Sequence, residues 1–144
     1  MIESLTTKLV PVVPPGVIKD NASWTVTEID TLGFNFLRVV CFFGAMDIAM
    51  VALKVQESDT TGSGQADITG GVYGTDGTLP SATDDNGFFA FNIPLHGRKR
   101  FITLVATAGD GSAGTYMAAW GELSRAEIVP SSATTRGLVA ELNV

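Results

Sequence analysis

The sequence contains a single cysteine, Cys41, and a single histidine, His96. An intramolecular disulfide is excluded, and so is a site that needs two imidazoles, such as a His-rich zinc centre. Cys41 lies inside an apolar run (VVCFF) and reads as a buried, inert thiol. Charge is scarce as well. Only 17% of residues are Asp, Glu, Lys or Arg, against about 25% in an average globular chain. Some surface must therefore be Thr, Ser, Gly and Ala, or lie against a partner. The charges that exist are mostly acidic, giving a formal net charge of −6. That argues against nucleic acid, because phosphate affinity comes from clustered Lys and Arg. No window shows sustained 3.6-residue hydrophobic periodicity, and residues 45–53 come nearest to a short helix. The N-terminal MIESLTTKLV has neither the basic nor the apolar region of a secretory signal. The most apolar stretch, 39–53, is shorter than the ~20 residues of a spanning helix, and it holds Gly44 and Asp47, so no membrane segment is expected.

What is present is a series of strand patterns separated by turn residues. The length of 144 residues suits one domain. Pro11, Pro14 and Pro15 exclude a helix or a central strand over 8–18 and leave an extended arm or edge strand. Residues 22–29 (ASWTVTEI) alternate as a half-buried strand. Residues 34–43 (FNFLRVVCFF) are apolar on both faces, and 44–47 looks like a turn leading back through 48–55 as a hairpin. From 57 to 85 the chain is almost all turn residues, leaving room only for very short strands at Ile68 and at Val72-Tyr73. Residues 87–95 and 98–108 read as strands. The glycine-rich loop 109–114 then predicts a second hairpin, with 115–123 as its partner. About seven strands with intervening turns indicate an all-β fold, a jelly-roll-like β-sandwich. The expected layout is one domain over 1–144: an N-terminal arm or edge strand to 20, a core over 21–125, and an irregular C-terminal tail over 126–144.

Candidate chemistry is thin. Asp59, Asp76, Asp84 and Asp85 lie in turn-like sequence, which does not hold two carboxylates rigidly in different environments as acid–base catalysis requires. TDGT (75–78) and GDGS (109–112) lack the alternating ligands and closing Glu of a calcium loop. There is no Gly-x-Ser-x-Gly elbow, and neither GSG (62–64) nor GDGSAG (109–114) sits between a strand and a helix as a phosphate cradle does. No catalytic, cofactor or metal site is expected, and an enzyme is not the expected class. Arg98, Lys99 and Arg100, beside His96, form the one basic cluster. It is either a docking patch for an acidic partner or the solvated edge of a strand. Strands 34–43, 48–55 and 115–123 are apolar on both faces, and a two-layer sandwich buries only one of them. That leaves either a second surface buried between subunits or unusual burial within a larger sandwich.

Four segments carry a resemblance: VPPGVIKDNAS (13–23), VALKVQES (51–58), LPSATDDN (79–86) and GRKRFITLVA (97–106). Together they resemble a family of small proteins from tailed-phage and prophage structural-gene clusters, of the head-decoration (cement) class, over roughly 11–125. The resemblance implies a non-enzymatic β-rich subunit on the outer surface of the virion capsid, made in the host cytoplasm. It implies the major capsid protein and the chain itself, as a trimer, for partners, with neither nucleic acid nor membrane. Its natural contact residues are Pro11, Pro14 and Pro15 in the arm, Arg98, Lys99 and Arg100 in the basic cluster, and Leu138 and Leu142 in the tail. Two other readings stand beside it: a head–tail connector or tail component, and a carbohydrate-binding virion module. The latter needs Trp, Tyr or Asn at a loop-end cleft, whereas Trp24 and Trp120 look strand-internal.

Overall fold

The computed structural model describes residues 6–142; the outer ends of the expected arm and tail, 1–5 and 143–144, lie outside the described residues. Strands form at β1 (Lys8–Val13), β2 (Ile18–Lys19), β3 (Ile29–Asp30), β4 (Phe34–Met46), β5 (Ala52–Ser58), β6 (Ala66–Tyr73), β7 (Phe88–Pro94), β8 (Phe101–Thr107) and β9 (Thr115–Ala126). They make two antiparallel sheets. The front sheet has the order β1-β9-β4-β7, with β2 also on β9, and the back sheet has the order β3-β8-β5-β6. β1 and β2 lie one after the other along the same edge of β9, as one strand interrupted by Pro14-Pro15-Gly16. Taken so, the two orders are those of a jelly roll, an all-β sandwich in which the chain passes repeatedly from sheet to sheet.

The core follows from strand alternation. Leu37, Val39, Cys41 and Phe43 of β4, Met117, Ala119 and Leu123 of β9, and Phe91 and Ile93 of β7 point inward from the front sheet and are buried. They meet Leu53 and Val55 of β5, Ile102, Leu104 and Ala106 of β8, and Ile29 of β3. Aromatic rings close the lateral side. Tyr73 meets Phe89 and Phe91 edge-on, with centroids 5.5 and 5.1 Å apart.

Several pairings differ from the sequence expectation. β4 and β5 are not a hairpin: β4 belongs to the front sheet and β5 to the back, so 47–51 is a corner between layers. The loop 109–114 likewise carries the chain from β8 to β9 across the sandwich. Residues 109–114 (GDGSAG) have turn composition and 47–51 (DIAMV) do not, and both are longer than the two-residue links that tie neighbouring strands tightly. Residues 22–28 keep their alternating burial, with Trp24 buried, and the alternation breaks at buried Ile29; only Ser23 makes a bridge before β3 begins. The backbone there is held by scattered bonds instead, Trp24 N–H to the Ala106 carbonyl and Thr27 N–H to the Val12 carbonyl. In the glycine-rich excursion, β6 is an eight-residue strand paired with β5, longer than composition suggested. A register break between Lys54 and Gln56 absorbs the Gly70-Gly71 pair.

Candidate partner-binding surfaces

The outer face of the front sheet carries an apolar stripe. Outward residues alternate with the buried ones, and the ladder aligns them in rows. Phe42 stands beside Phe88 and Ala118, Val40 beside Ala90 and Trp120, and Arg38 beside Asn92 and Glu122. The Phe42 and Phe88 rings stack with centroids 4.5 Å apart, and Trp120 meets Phe88 edge-on at 6.4 Å. Phe88 is 63% exposed, and Tyr116 and Ile18 extend the stripe along β9 and β2. Val40, in the middle of the stripe, is only 8% exposed and Arg125 lies over the Phe36 ring, so on this face of β4 solvent mainly reaches Phe42 and its neighbour Phe88. Below it the polar row is internally bonded. Arg38 Nε donates to Asn92 Oδ1 at 2.9 Å and Trp120 Nε1 donates to Glu122 Oε1 at 3.1 Å.

Between β6 and β7 the sandwich gapes. A cleft of about 350 Å³ has Val55, Ile68, Phe91 and Ile93 in its floor, and Asp76, Asn92 and Arg98 also line it. The Tyr73 hydroxyl spans it to donate to the Ala90 carbonyl at 3.0 Å. Burial pushes the Tyr73 phenol above its ordinary pKa, so it stays a donor at neutral pH. The Ala90 carbonyl it meets points away from β4 and marks the free edge of β7.

The residues singled out in the sequence fall in separate places. Arg98, Lys99 and Arg100 are exposed in the β7–β8 link. Two of their guanidiniums are engaged at home: Arg100 grips both oxygens of Asp30 at 2.8 Å, and Arg98 reaches Glu57 at 3.4 Å, while the Lys99 N–H also donates to Glu57. This cluster ties the β3 and β5 ends to the turn through partly exposed ion pairs. Pro11 is exposed on β1 opposite Trp120, and Pro14 and Pro15 occupy the break before β2. The tail folds back beside β1. Buried Arg136 donates to the Pro130 carbonyl at 2.7 Å and pairs with Glu141, and Gly137, at φ 77°, packs against the Leu9 backbone with no room for a side chain. Leu138 is half-buried there, whereas Ile128, Val139 and Leu142 are each more than four-fifths exposed.

Groups with chemical potential are used structurally. Cys41 faces the core, and burial raises its thiol to about 12; His96 lies in the exposed β7–β8 link, so the two do not meet. Asp76 accepts the Val72 N–H, Asp84 the Ser81 N–H and hydroxyl, and Asp85 the Met46 N–H, which makes each a turn or strand-end cap. Of the two Asp-Gly loops, GDGS is organised by a carboxylate from outside it. Asp47 accepts the Ser112 and Ala113 N–H groups, each at 2.6 Å. Those bonds, Ala113's first, hold the Asp47 carboxyl below the usual carboxylate range. Among the described residues no three His, Cys, Asp or Glu side chains gather as a metal-binding group, and no helix is long and apolar enough to cross a membrane. A scan against protein-family models and a search of curated proteins each found no match to the chain.

The aromatic stripe was half visible beforehand. The two-sided hydrophobicity of 34–43 and 115–123 signalled it, but Phe88 looked like one more apolar residue until its strand was placed at the edge beside β4.

Proposed function

We propose that the chain is a structural virion subunit that decorates the head of a tailed phage and stabilises it by bridging neighbouring major-capsid subunits. The observation that carries this is apolar surface in the wrong place for a solitary protein. The Phe42–Phe88–Trp120 stripe and the exposed Ile128, Val139 and Leu142 all lie outside the core. Isolated soluble proteins seldom leave such patches bare, and interfaces are rich in aromatics. The resemblance of four segments to decoration proteins supplies the assembly, and the jelly roll is a fold used by capsid proteins, which is support by analogy. In this reading the β-sandwich is the rigid body and the tail and stripe are the contact surfaces. Many weak contacts repeated over a closed shell add through avidity. The test is to mix purified protein with expanded empty capsids, measure bound copies by co-sedimentation, and heat the shells. Saturable binding and a higher disassembly temperature are expected; the same disassembly temperature with and without the protein overturns the proposal.

One observation favours a second reading. An exposed aromatic pair on the same sheet face as Asn92, Glu122 and Arg38 also suits a sugar ring, as a carbohydrate-binding module would present it. A glycan array read with wild type and with Phe88→Ala separates the two: sugar binding lost in the variant supports the module.

A further inference from the structure

We propose that β7 pairs with β7 of a second copy across a two-fold axis, joining the two front sheets into one. The strands at the other sheet edges are blunted. β3 is two residues long. β6 is broken in register, and Asp76 caps its Val72 N–H. β1 carries Pro11 and has Gly137 of the tail seated on its Leu9 backbone, and β2, which continues that edge, is two residues long. Before Pro94, β7 carries a single such contact, the Tyr73 hydroxyl on its Ala90 carbonyl. It is a seven-residue strand, FFAFNIP, without a charge, paired on one side only. Long, uncharged, apolar edges are sites where another strand adds.

Alternation fixes which groups are available. The Gly87 carbonyl and Leu95 N–H face β4, while the Ala90 carbonyl faces outward to Tyr73. Phe88, Ala90 and Asn92 therefore present their N–H and C=O groups to the free side. An antiparallel pair centred on Ala90 sets Ala90 against itself and Phe88 against Asn92 of the second copy. Every outward backbone group from 88 to 92 then finds a partner, and the Ala90 carbonyl keeps a lone pair for the Tyr73 hydroxyl. The small side chain at the centre lets the strands approach.

The antiparallel self-match of 88–92 and the position of Arg38 beside Asn92 point to a second copy as the occupant. Two chains of net charge −6 repel, but no like charges face each other along a strand that has none. Arg38, held at the edge by its bond to Asn92, comes beside the Phe88 ring of the second copy, and the axis repeats that cation–aromatic contact. Phe88, the most exposed aromatic residue of the stripe, is the one that becomes covered. The sequence expectation was a trimer; this edge supports a two-fold pair instead. The proposal does not depend on which assembly the chain serves.

The test is sedimentation velocity of the full chain up to roughly 100 µM, a range that detects even weak specific association, with amide hydrogen exchange read at both ends of the range. Wild type is expected to sediment as a dimer. Its Phe88, Ala90 and Asn92 amides should lose protection on dilution, while Phe89, Phe91 and Ile93 stay protected. Asn92→Pro removes an outward N–H, which an edge strand tolerates, and with it the exposed Arg38–Asn92 bond. It should raise the dimer dissociation constant at least about tenfold while keeping the β circular-dichroism spectrum. Should that variant fail to fold, Phe88→Lys at an exposed position gives the same reading. A wild-type monomer or trimer, a dimer that survives the folded variant, or protection at 88, 90 and 92 that ignores concentration overturns the proposal.

Discussion

The Asp47 carboxylate accepts the Ala113 N–H at 2.6 Å. One residue lies in the corner after β4 and the other in the crossover before β9, so a single side chain lashes together the two places where the chain changes layer. Asp20 adds a bond to the Gly111 N–H at 2.9 Å. A side chain at Gly111 would overlap the Asp47 carboxylate. Asp47→Asn and Gly111→Ala are each expected to lower the melting temperature, and the double variant to lose less than the sum, because both disrupt the same contact. Differential scanning calorimetry of the three variants checks this.

The same carboxylate sets an acid sensitivity. Its folded pKa lies below the ordinary value because its ionised form accepts backbone N–H bonds. The stability it contributes is present above the unfolded carboxylate pKa of about 3.9 and is lost as pH falls through the lower folded value. Asp30, beside Arg100, Asp67, between Gln56 and Lys54, and Glu141, beside Arg136, are shifted the same way. The melting temperature should hold from neutral pH to about pH 5 and fall below about pH 4, less steeply in Asp47→Asn. Thermal melts across that range give the comparison.

Gly121 sits in the middle of β9 under Ile29, whose Cδ1 would lie 2.8 Å from an added Cβ. Gly121→Ala is expected to cost about 1–3 kcal/mol through overpacking. Ile29→Val should recover part of that loss by withdrawing the offending methyl. Urea unfolding of the two single variants and the pair is the measurement, and simple additivity would contradict the contact.

Thr115 is fully buried, and its Oγ1 has no hydrogen-bond partner. A buried hydroxyl without a partner costs about 1–3 kcal/mol. Thr115→Val keeps the shape and removes the unpaired group, so it should stabilise the fold by about 1 kcal/mol in the same urea experiment.

Cys41 should be silent until the sandwich opens. Its thiol faces the core and is raised to about 12, so at pH 8 almost none is thiolate. Labelling by an aromatic disulfide reagent is expected to follow the unfolding rate in native buffer and to be immediate in denaturant. Rapid native labelling would place Cys41 nearer the surface than β4 allows.

Much of the fold was legible because alternation is a local signal. Phe89, Phe91 and Ile93 in β7, and Ile102, Leu104 and Ala106 in β8, announce their strands and their inward faces without help. Pairing is not local. The stretch around Asp47 has the same composition whether it closes a hairpin or turns a corner, and only the burial of Phe43 against one layer and Leu53 against the other decides it. β6 was obscured because Gly70 and Gly71 are turn residues by propensity, and they are tolerated in a strand by the register break beside them. The basic cluster was legible as exposed charge, but Glu57 and Asp30, which bind Arg98 and Arg100, lie more than 40 residues away in sequence. The aromatic stripe depends on β4, β7 and β9 lying side by side, and that order is a property of the whole chain.

β9 pairs with β1, β2 and β4, yet it is made after all the other strands of the described residues. The back sheet has all its strands once Thr107 has left the ribosome, whereas the front sheet remains in separate pieces until 115–126 follow. Synthesis therefore imposes an order of maturation on the two layers. Until the final strand arrives, the nascent chain shows two raw edges, one on β1 and one on β4, next to unburied core residues such as Val39 and Phe43. Termination in this short window leaves a species built to stick to its neighbours, so residues 115–126 govern whether the product is a subunit or a precipitate.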